Sequence, residues 1–356
     1  MLTRAQVLAY RVAVHHLEHP TGEGVLPAGV QDLPYNETAW RALAVRGVDA
    51  APLVRAHTVR AAPHLLRAED LPGFAAALGS LQITDLAREV FGPFDQEADF
   101  PGALAHVALA MRQVFADGQP RDKGELSAAV TERVDPRLAP WCAKCSAHHV
   151  QDALFRYATL QAELIMESYP VRYVPMPPGL LPPPPDPEAA QTDLTRVFLH
   201  LCGPTLPEHL ARWLGLRPGA ARRFLKRVPL ARVEVDGRPT AMHPDDLDTL
   251  LATPPPTEVH LLPPHDPLVE LADRWLLLPD RLQRSAVWPS ASTPGTLLIR
   301  GEIAGTWRYR TTTRQLTITV KPFSPITPAD RKAIARHAKL FAAHPELQVR
   351  LKYQTT

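Results

Sequence analysis

The sequence predicts an α+β fold, mainly helical, that ends in a small antiparallel β-rich C-terminal domain. Three observations carry this. Apolar residues before position 252 recur mostly at helical spacings of three and four, those after position 295 alternate with a period of two, and Pro-rich stretches separate the blocks. A chain of 356 residues is long enough for two or three units with cores of their own.

The first block, 1–172, predicts helices over 2–17, 37–45, 70–78, 103–115, 123–133 and 148–166. In the fourth of these, Leu104, Val107, Ala108, Met111 and Phe115 share one side, and Asp122 with Glu125 reads as a capping box for the short helix that follows. Helix, turn, short helix and long helix is a helix-turn-helix order, so this region is a candidate second copy of the motif described next, without its hairpin. The run YVPMPPGLLPPPPDP over 173–187 cannot be helical and reads as a stiff polyproline linker.

In the next block, 188–252, Leu194, Val197, Phe198 and Leu201 make one apolar stripe, and Gly203-Pro204 ends that helix. Thr205 and Glu208 suggest a capping box for a second helix that buries Leu210, Trp213 and Leu214 and closes at Gly215. Pro218 suits the first position of a third, which turns Ala221, Phe224, Leu225 and Val228 inward and Arg222, Arg223, Lys226 and Arg227 outward. From Arg232 to Met242 the pattern alternates around Asp236-Gly237, which tolerate the positive φ angles of a type I′ turn, while Pro239 confines its strand to an edge. Three short helices and a hairpin make a winged helix. After a break over 253–267, the block 253–356 predicts strands over 296–300, 305–310 and 315–320, a helix over 329–343 and a strand over 348–353.

Formal net charge is only +2, so any nucleic-acid surface must be local. From 217 to 238 there are seven basic residues, Arg217, Arg222, Arg223, Lys226, Arg227, Arg232 and Arg238, against Glu234 and Asp236. Cations grouped on one helix and its hairpin form a phosphate-tracking surface, which makes double-stranded DNA the expected partner. A solvated helix face, or a scaffold that binds another protein, is the competing reading. No apolar run approaches the ~20 residues that cross a bilayer, and the N-terminus has no signal-peptide core, so a cytoplasmic protein without a membrane partner is expected. No phosphate-cradling glycine loop, H-E-x-x-H or nucleophile elbow occurs, which excludes the chemistries those motifs carry.

Three cysteines fit a reducing compartment. Cys142, Cys145 and His148, with His149 adjacent, have the donor chemistry of a zinc site. Neighbouring helical histidines point about 100° apart, so only one can serve and a further ligand such as Cys202 is required. The alternative is reduced thiols packed beside Trp141, with a histidine capping the helix or meeting phosphate. No other cofactor is expected.

With these elements in place, the stretches GVQDLPYNETAWRALAVR, TVRAAPHLLRAEDL, CGPTLPEHLARWLGL, VHLLPPHDPLVELADR and GEIAGTWR span nearly the whole chain and carry a resemblance. The chain resembles the bacterial winged-helix proteins related to the AlkZ and YcaQ DNA glycosylases. That resemblance implies tandem winged-helix units curving around duplex DNA and removal of alkylated or crosslinked purines. It also implies a Gln, apolar, Gln or Asp tripeptide that positions the hydrolytic water. The matching residues are Gln31, Asp32 and Leu33. Gln31 falls on the first position, but Leu33 occupies the second polar place and cannot hold water. Asp32 lies one residue early, on the opposite face of an extended chain, and replaces the missing group only if the backbone turns, which Pro34 permits. Gln31 reads equally as a plain turn residue. The resemblance also places Thr58, Arg60, His64 and Arg67 near the DNA cleft, and an extended 58–60 puts Thr58 and Arg60 on one face. Asp266 and Asp273, with Arg274, read as structural ion pairs, and Trp307 as core. Three functions stay open: a glycosylase with a degenerate motif, a non-catalytic DNA-binding regulator or lesion sensor, and a protein-interaction scaffold.

Overall fold

A computed structural model describes residues 1–20, 23–33, 37–48, 53–88, 99–167, 170–177, 179, 181–270, 273–342 and 347–354. The architecture is mixed α and β. Thr3 starts the first helix, Arg4–Val14, through a capping box with Gln6. Val7, Tyr10, Val12 and Val14 of that helix pack with the C-terminal part of the chain. The cores are therefore not collinear with the sequence: one runs from Val25 to Val228, and the other joins Leu2–Leu17 to Val235, Met242 and 250–347.

After the first helix, β1 (Val30–Gln31), β2 (Leu53–His57) and β3 (Pro63–Arg67) form an antiparallel sheet in the order β1-β3-β2. The helices Thr38–Ala44, Leu71–Gly79, Phe100–Val114 and Lys123–Thr131 form close to the expected positions. The Asp122/Glu125 capping box is present.

Two expectations for this region are corrected. Residues 141–149 are a hairpin, with β4 (Trp141–Cys142) antiparallel to β5 (Ala147–His148), so the helix begins only at Asp152, where Gln151 caps the Leu154 N–H. It ends at Gln161, because Glu163 takes a positive φ and turns the chain into β6 (Leu164–Met166). The proposed linker is also only partly free: β7 (Tyr173–Pro175) pairs with β6, and Tyr173 and Met176 are buried in the first core. Apolar side chains that can be removed from water override the extended-linker preference of their proline neighbours. Residues 182–185 remain exposed coil.

Helices Pro187–Cys202, Pro207–Leu214 and Pro218–Leu225 follow, then β8 (Ala231–Val235) and β9 (Arg238–Met242), joined by Asp236 and Gly237 at φ 46° and 77°. The second helix is not capped by Thr205 and Glu208. The His209 ring reaches back to the Leu206 N–H and the Thr205 hydroxyl instead, which frees Glu208 to pair with Arg222.

The last unit is a five-stranded sheet in the order β10-β11-β12-β13-β14, built from Val259–Leu262, Gly295–Ile299, Glu302–Thr311, Gln315–Pro322 and Gln348–Tyr353. β14 runs parallel to β13 and the other neighbours are antiparallel. Strand β10 falls inside the expected break, since its four residues sit between proline pairs that mask the strand signal. Trp307 is core: its indole N–H donates to the Leu262 carbonyl at 2.8 Å, and the ring stacks on Phe341. Gly295 faces that ring so closely that a Cβ would lie 2.3 Å from it.

Two buried ion pairs tie the segment after β10 to the first helix and to the turn that follows Thr38–Ala44. Asp266 takes a bidentate pair from Arg46, both bonds at 2.8 Å, and Asp273 pairs with Arg11 at 2.8 Å. All four side chains are essentially inaccessible. Arg274 is not a partner of either carboxylate; its guanidinium lies over Trp288.

Candidate active site and nucleic-acid interface

Gln31 and Asp32 occupy adjacent positions at the end of β1, so their side chains leave the strand on opposite faces. Asp32 faces inward and is fully buried. Its carboxylate accepts from the Arg55 guanidinium at 2.7 Å and from the Ala39 backbone N–H at 3.2 Å, anchoring the first turn of Thr38–Ala44. The expectation that Asp32 shares a water with Gln31 is not met, because a carboxylate spent on Arg55 and a helix start has no access to solvent. Leu33 is exposed. Gln31, half-buried, accepts at Oε1 from Arg60 at 2.7 Å.

Arg60 sits on the tight turn between β2 and β3. Residues 58–60 are not extended: Arg60 and Ala61 both take positive φ, 58° and 53°. Non-glycine residues hold such angles at a cost of about 1–3 kcal/mol each, and only where the surroundings impose them. Here the carbonyl of Trp213 accepts from Arg60 at 2.6 Å. The turn separates Thr58 from Arg60. Thr58 is fully buried and bonds His64 Nδ1 at 2.9 Å, while His64 is buried too, with burial and the nearby Arg60 charge pushing its pKa down to about 3. Neither side chain reaches a surface. Arg67 pairs with Asp70 at 2.8 Å.

The sequence does not point to the group opposite Gln31. Glu270 Oε2 lies 3.7 Å from the same Arg60 nitrogen that holds Gln31, and Glu270 Oε1 is 3.2 Å from His265 Nδ1. Its side chain is 24% exposed, so water reaches it. Burial works to raise its pKa, but the hydrogen bond from His265 and the Arg60 charge outweigh burial and hold the carboxyl below its ordinary range. His265 takes φ 60°, a third strained residue at the same place. Gln31, Arg60, His265 and Glu270 thus form one partly exposed cluster, with a carboxylate and an amide gathered around one guanidinium. The only signal for Glu270 in the sequence was its place in the PPHDPLVE stretch.

The basic residues of 217–238 are less available than their spacing suggested. Arg222 pairs with Glu208 at 2.8 Å, Arg223 with Asp85, and Arg227 with Glu188 at 2.7 Å and Gln191 at 2.6 Å. Arg217 donates to the Leu86 carbonyl. Lys226 and Arg232 are exposed, and exposed Arg238 lies over the Trp275 ring at 4.0 Å. A second cationic surface borders the cluster: a cavity of about 440 Å³ lined by Arg212, Arg274, Arg281 and Arg284, with Trp275 and Trp288. Among the described residues no carboxylate pairs with any of these four arginines. Arg212 and Arg274 are exposed, and burial together with the Arg212 charge lowers the pKa of Arg274. Arg212 adjoins Trp213, the partner of Arg60, and Arg274 follows Glu270 closely in the chain, so both surfaces share the same two segments.

Cys142 and Cys145 lie on the 141–149 hairpin. His148 turns from the thiols, its Nδ1 at 3.1 Å from the Ala139 carbonyl and its ring edge-on to Trp141. Cys202 is buried against Arg11 and Thr205, so it supplies no fourth ligand.

The family model for DNA glycosylase AlkZ-like proteins matches residues 37–344. The chain belongs to the AlkZ-like DNA glycosylase family. The match begins after Gln31 and Asp32 and takes in Arg60, His265, Glu270 and the four arginines of the cationic cavity. Among solved structures, the chain is similar to Streptomyces sahachiroi DNA glycosylase AlkZ, with a TM-score of 0.75 and 19% identity over 99% of this chain and 100% of that one. At that identity the likeness speaks for the AlkZ-like fold alone. No curated protein matches the chain in sequence. Among the described residues no helix is long and apolar enough to cross a membrane.

Proposed function

We propose that the protein is a DNA glycosylase that hydrolyses the N-glycosidic bond of alkylated purines in duplex DNA, with winged-helix elements presenting the duplex to the Gln31–Arg60–Glu270 cluster. The observation that carries this reading is Glu270: an ionised, water-accessible carboxylate beside Gln31 replaces the polar group that Leu33 cannot supply. Gln31 and Glu270 hold one water. As the C1′–N bond breaks, the water oxygen bonds C1′ and Glu270 accepts its proton, while the bonding pair leaves with the base. An N7- or N3-alkylated purine carries a positive charge and departs neutral, so positioning and one general base suffice. Arg60, His265 and the turn strain fix the two groups in advance of substrate.

Phosphates are read by Arg212, Arg274, Arg281 and Arg284, which have no carboxylate partner among the described residues, more than by Arg222, Arg223 and Arg227, whose charges are already met. Removing one phosphate-neutralising side chain lowers the slope of log affinity against log salt by ~0.9. Arg212→Ala/Arg274→Ala is therefore expected to flatten that slope by roughly 1–2, and Arg222→Ala/Arg223→Ala to change it less; fluorescence anisotropy over a salt series reads both. The reverse ranking returns the interface to the helix Pro218–Leu225.

The test of the activity is incubation with duplex carrying N7- or N3-alkylpurine, followed by cleavage at abasic sites. Strand scission above background supports the enzyme. Tight, salt-dependent binding without scission gives the second reading, a lesion sensor, which the exposed Leu33 in the motif favours.

A further inference from the structure

The 141–149 hairpin carries a group of side chains that glycosylase chemistry does not use. Cys142 ends β4, the Cys145 N–H donates to the Cys142 carbonyl at 3.2 Å, and Ser146 turns the chain at φ 51° into β5. This folds the two sulfurs of a C-x-x-C onto one side. His149 follows β5 and completes the group: one donor atom each from Cys142, Cys145 and His149 lies within 4.8 Å of the other two. A tetrahedral zinc with Zn–S of about 2.3 Å and Zn–N of about 2.0 Å needs such atoms roughly 3.5–3.8 Å apart. Side-chain rotation closes that difference.

The placement of the His149 ring is the second, independent observation. Its Nδ1 lies 2.8 Å from the Val150 carbonyl, which can only accept, so Nδ1 carries a proton and Nε2 is the ring nitrogen left to ligate when the imidazole is neutral. That Nε2 is buried and, apart from the Cys142 thiol, has no hydrogen-bond partner. An imidazole donating one ring N–H to a backbone carbonyl while the other nitrogen points at two thiols is the arrangement that orients metal-binding histidines.

We propose that Cys142 Sγ, Cys145 Sγ and His149 Nε2 bind a thiophilic divalent cation, zinc, with water as the fourth ligand. Two thiolates neutralise the ion. The donors open on a surface cavity of about 550 Å³ that Lys123, Lys144 and Arg156 also line, and the ion would pin the hairpin to the start of Asp152–Gln161. The site differs from the one spacing suggested by a single residue: His149 ligates and His148 does not.

Titration of the full-length, reduced protein with Co2+, read by visible absorption, tests the assignment. One equivalent is expected to give thiolate-to-cobalt charge transfer and tetrahedral d–d bands, and zinc should displace it one for one. Cys142→Ser, Cys145→Ser and His149→Ala should each weaken binding by more than the roughly 10–100-fold that loss of an outer hydrogen-bond partner costs, while His148→Ala keeps wild-type affinity. Circular dichroism reports whether each variant folds, and the wild-type titration stands without them. No stoichiometric cobalt binding by folded, reduced wild-type protein overturns the proposal, as does recovery of a Cys142–Cys145 disulfide whose reduction yields no metal binding. So does a His148→Ala variant that loses the ion while His149→Ala retains it.

Discussion

Glu270→Gln is expected to lower single-turnover excision of an alkylated purine by about 10²–10⁴-fold, the usual worth of a positioned general base, and to leave duplex affinity within a factor of a few. Glutamine keeps the shape and can still accept from Arg60 and His265, but it cannot take the proton from water. The pH profile gives a second readout. Because His265 and Arg60 hold the Glu270 carboxyl below its ordinary range, the base form persists as pH falls through that range, and wild-type activity declines only once pH drops through the lowered value. The profile of the wild type should therefore be flat from pH 8 to about 5, the region where an ordinary carboxylate is already ionised. An acid limb centred near neutrality would point to a histidine as the base.

Asp266→Ala is expected to cost about 3–5 kcal/mol of stability, since removing one partner of a buried ion pair leaves the other charge uncompensated. Arg46 would keep its bonds to the carbonyls of His15 and Ala42 but be left without a carboxylate in a place that water does not reach. Urea denaturation followed by circular dichroism measures this as a lower midpoint. Adding Arg46→Met should recover part of the deficit by removing the stranded charge; the Leu268 N–H that Asp266 also caps stays unmet. A midpoint shift equal to that of an exposed pair, worth about 0–1 kcal/mol, would contradict the buried geometry. Asp266 and Asp273 bracket Glu270, so the pairs that stabilise the molecule also fix the proposed base.

What the sequence made legible follows from whether the signal is local. The helix Pro218–Leu225, the Asp236-Gly237 turn and the Asp122/Glu125 box are set by residues within a few positions of one another, and they form where periodicity and turn chemistry place them. The 141–149 hairpin depends on Ser146 adopting positive φ, which composition does not announce. The cluster at Gln31 was half legible. The resemblance selected Gln31, yet Asp32 was eligible only if the backbone turned, and Arg55, which takes its carboxylate, lies 23 positions away. Glu270 was scarcely legible, because it and Gln31 come to the same Arg60 nitrogen only when the chain closes over more than two hundred residues. The arginines of 217–238 misled for the same reason. Their carboxylate partners Asp85 and Glu188 lie in other elements, whereas Arg212 and Arg274, which pair with no carboxylate among the described residues, are scattered singly along the chain.

A double-mutant cycle on single-turnover release of the alkylated base tests most directly whether Gln31 and Glu270 act on one water. Groups that serve one step as a unit are strongly non-additive, so Gln31→Ala/Glu270→Gln should be little slower than the slower single variant, while Asp32→Asn alters stability more than rate. Full additivity of the two variants, or a folded Asp32→Asn protein that loses excision while Glu270→Gln retains it, would contradict the account.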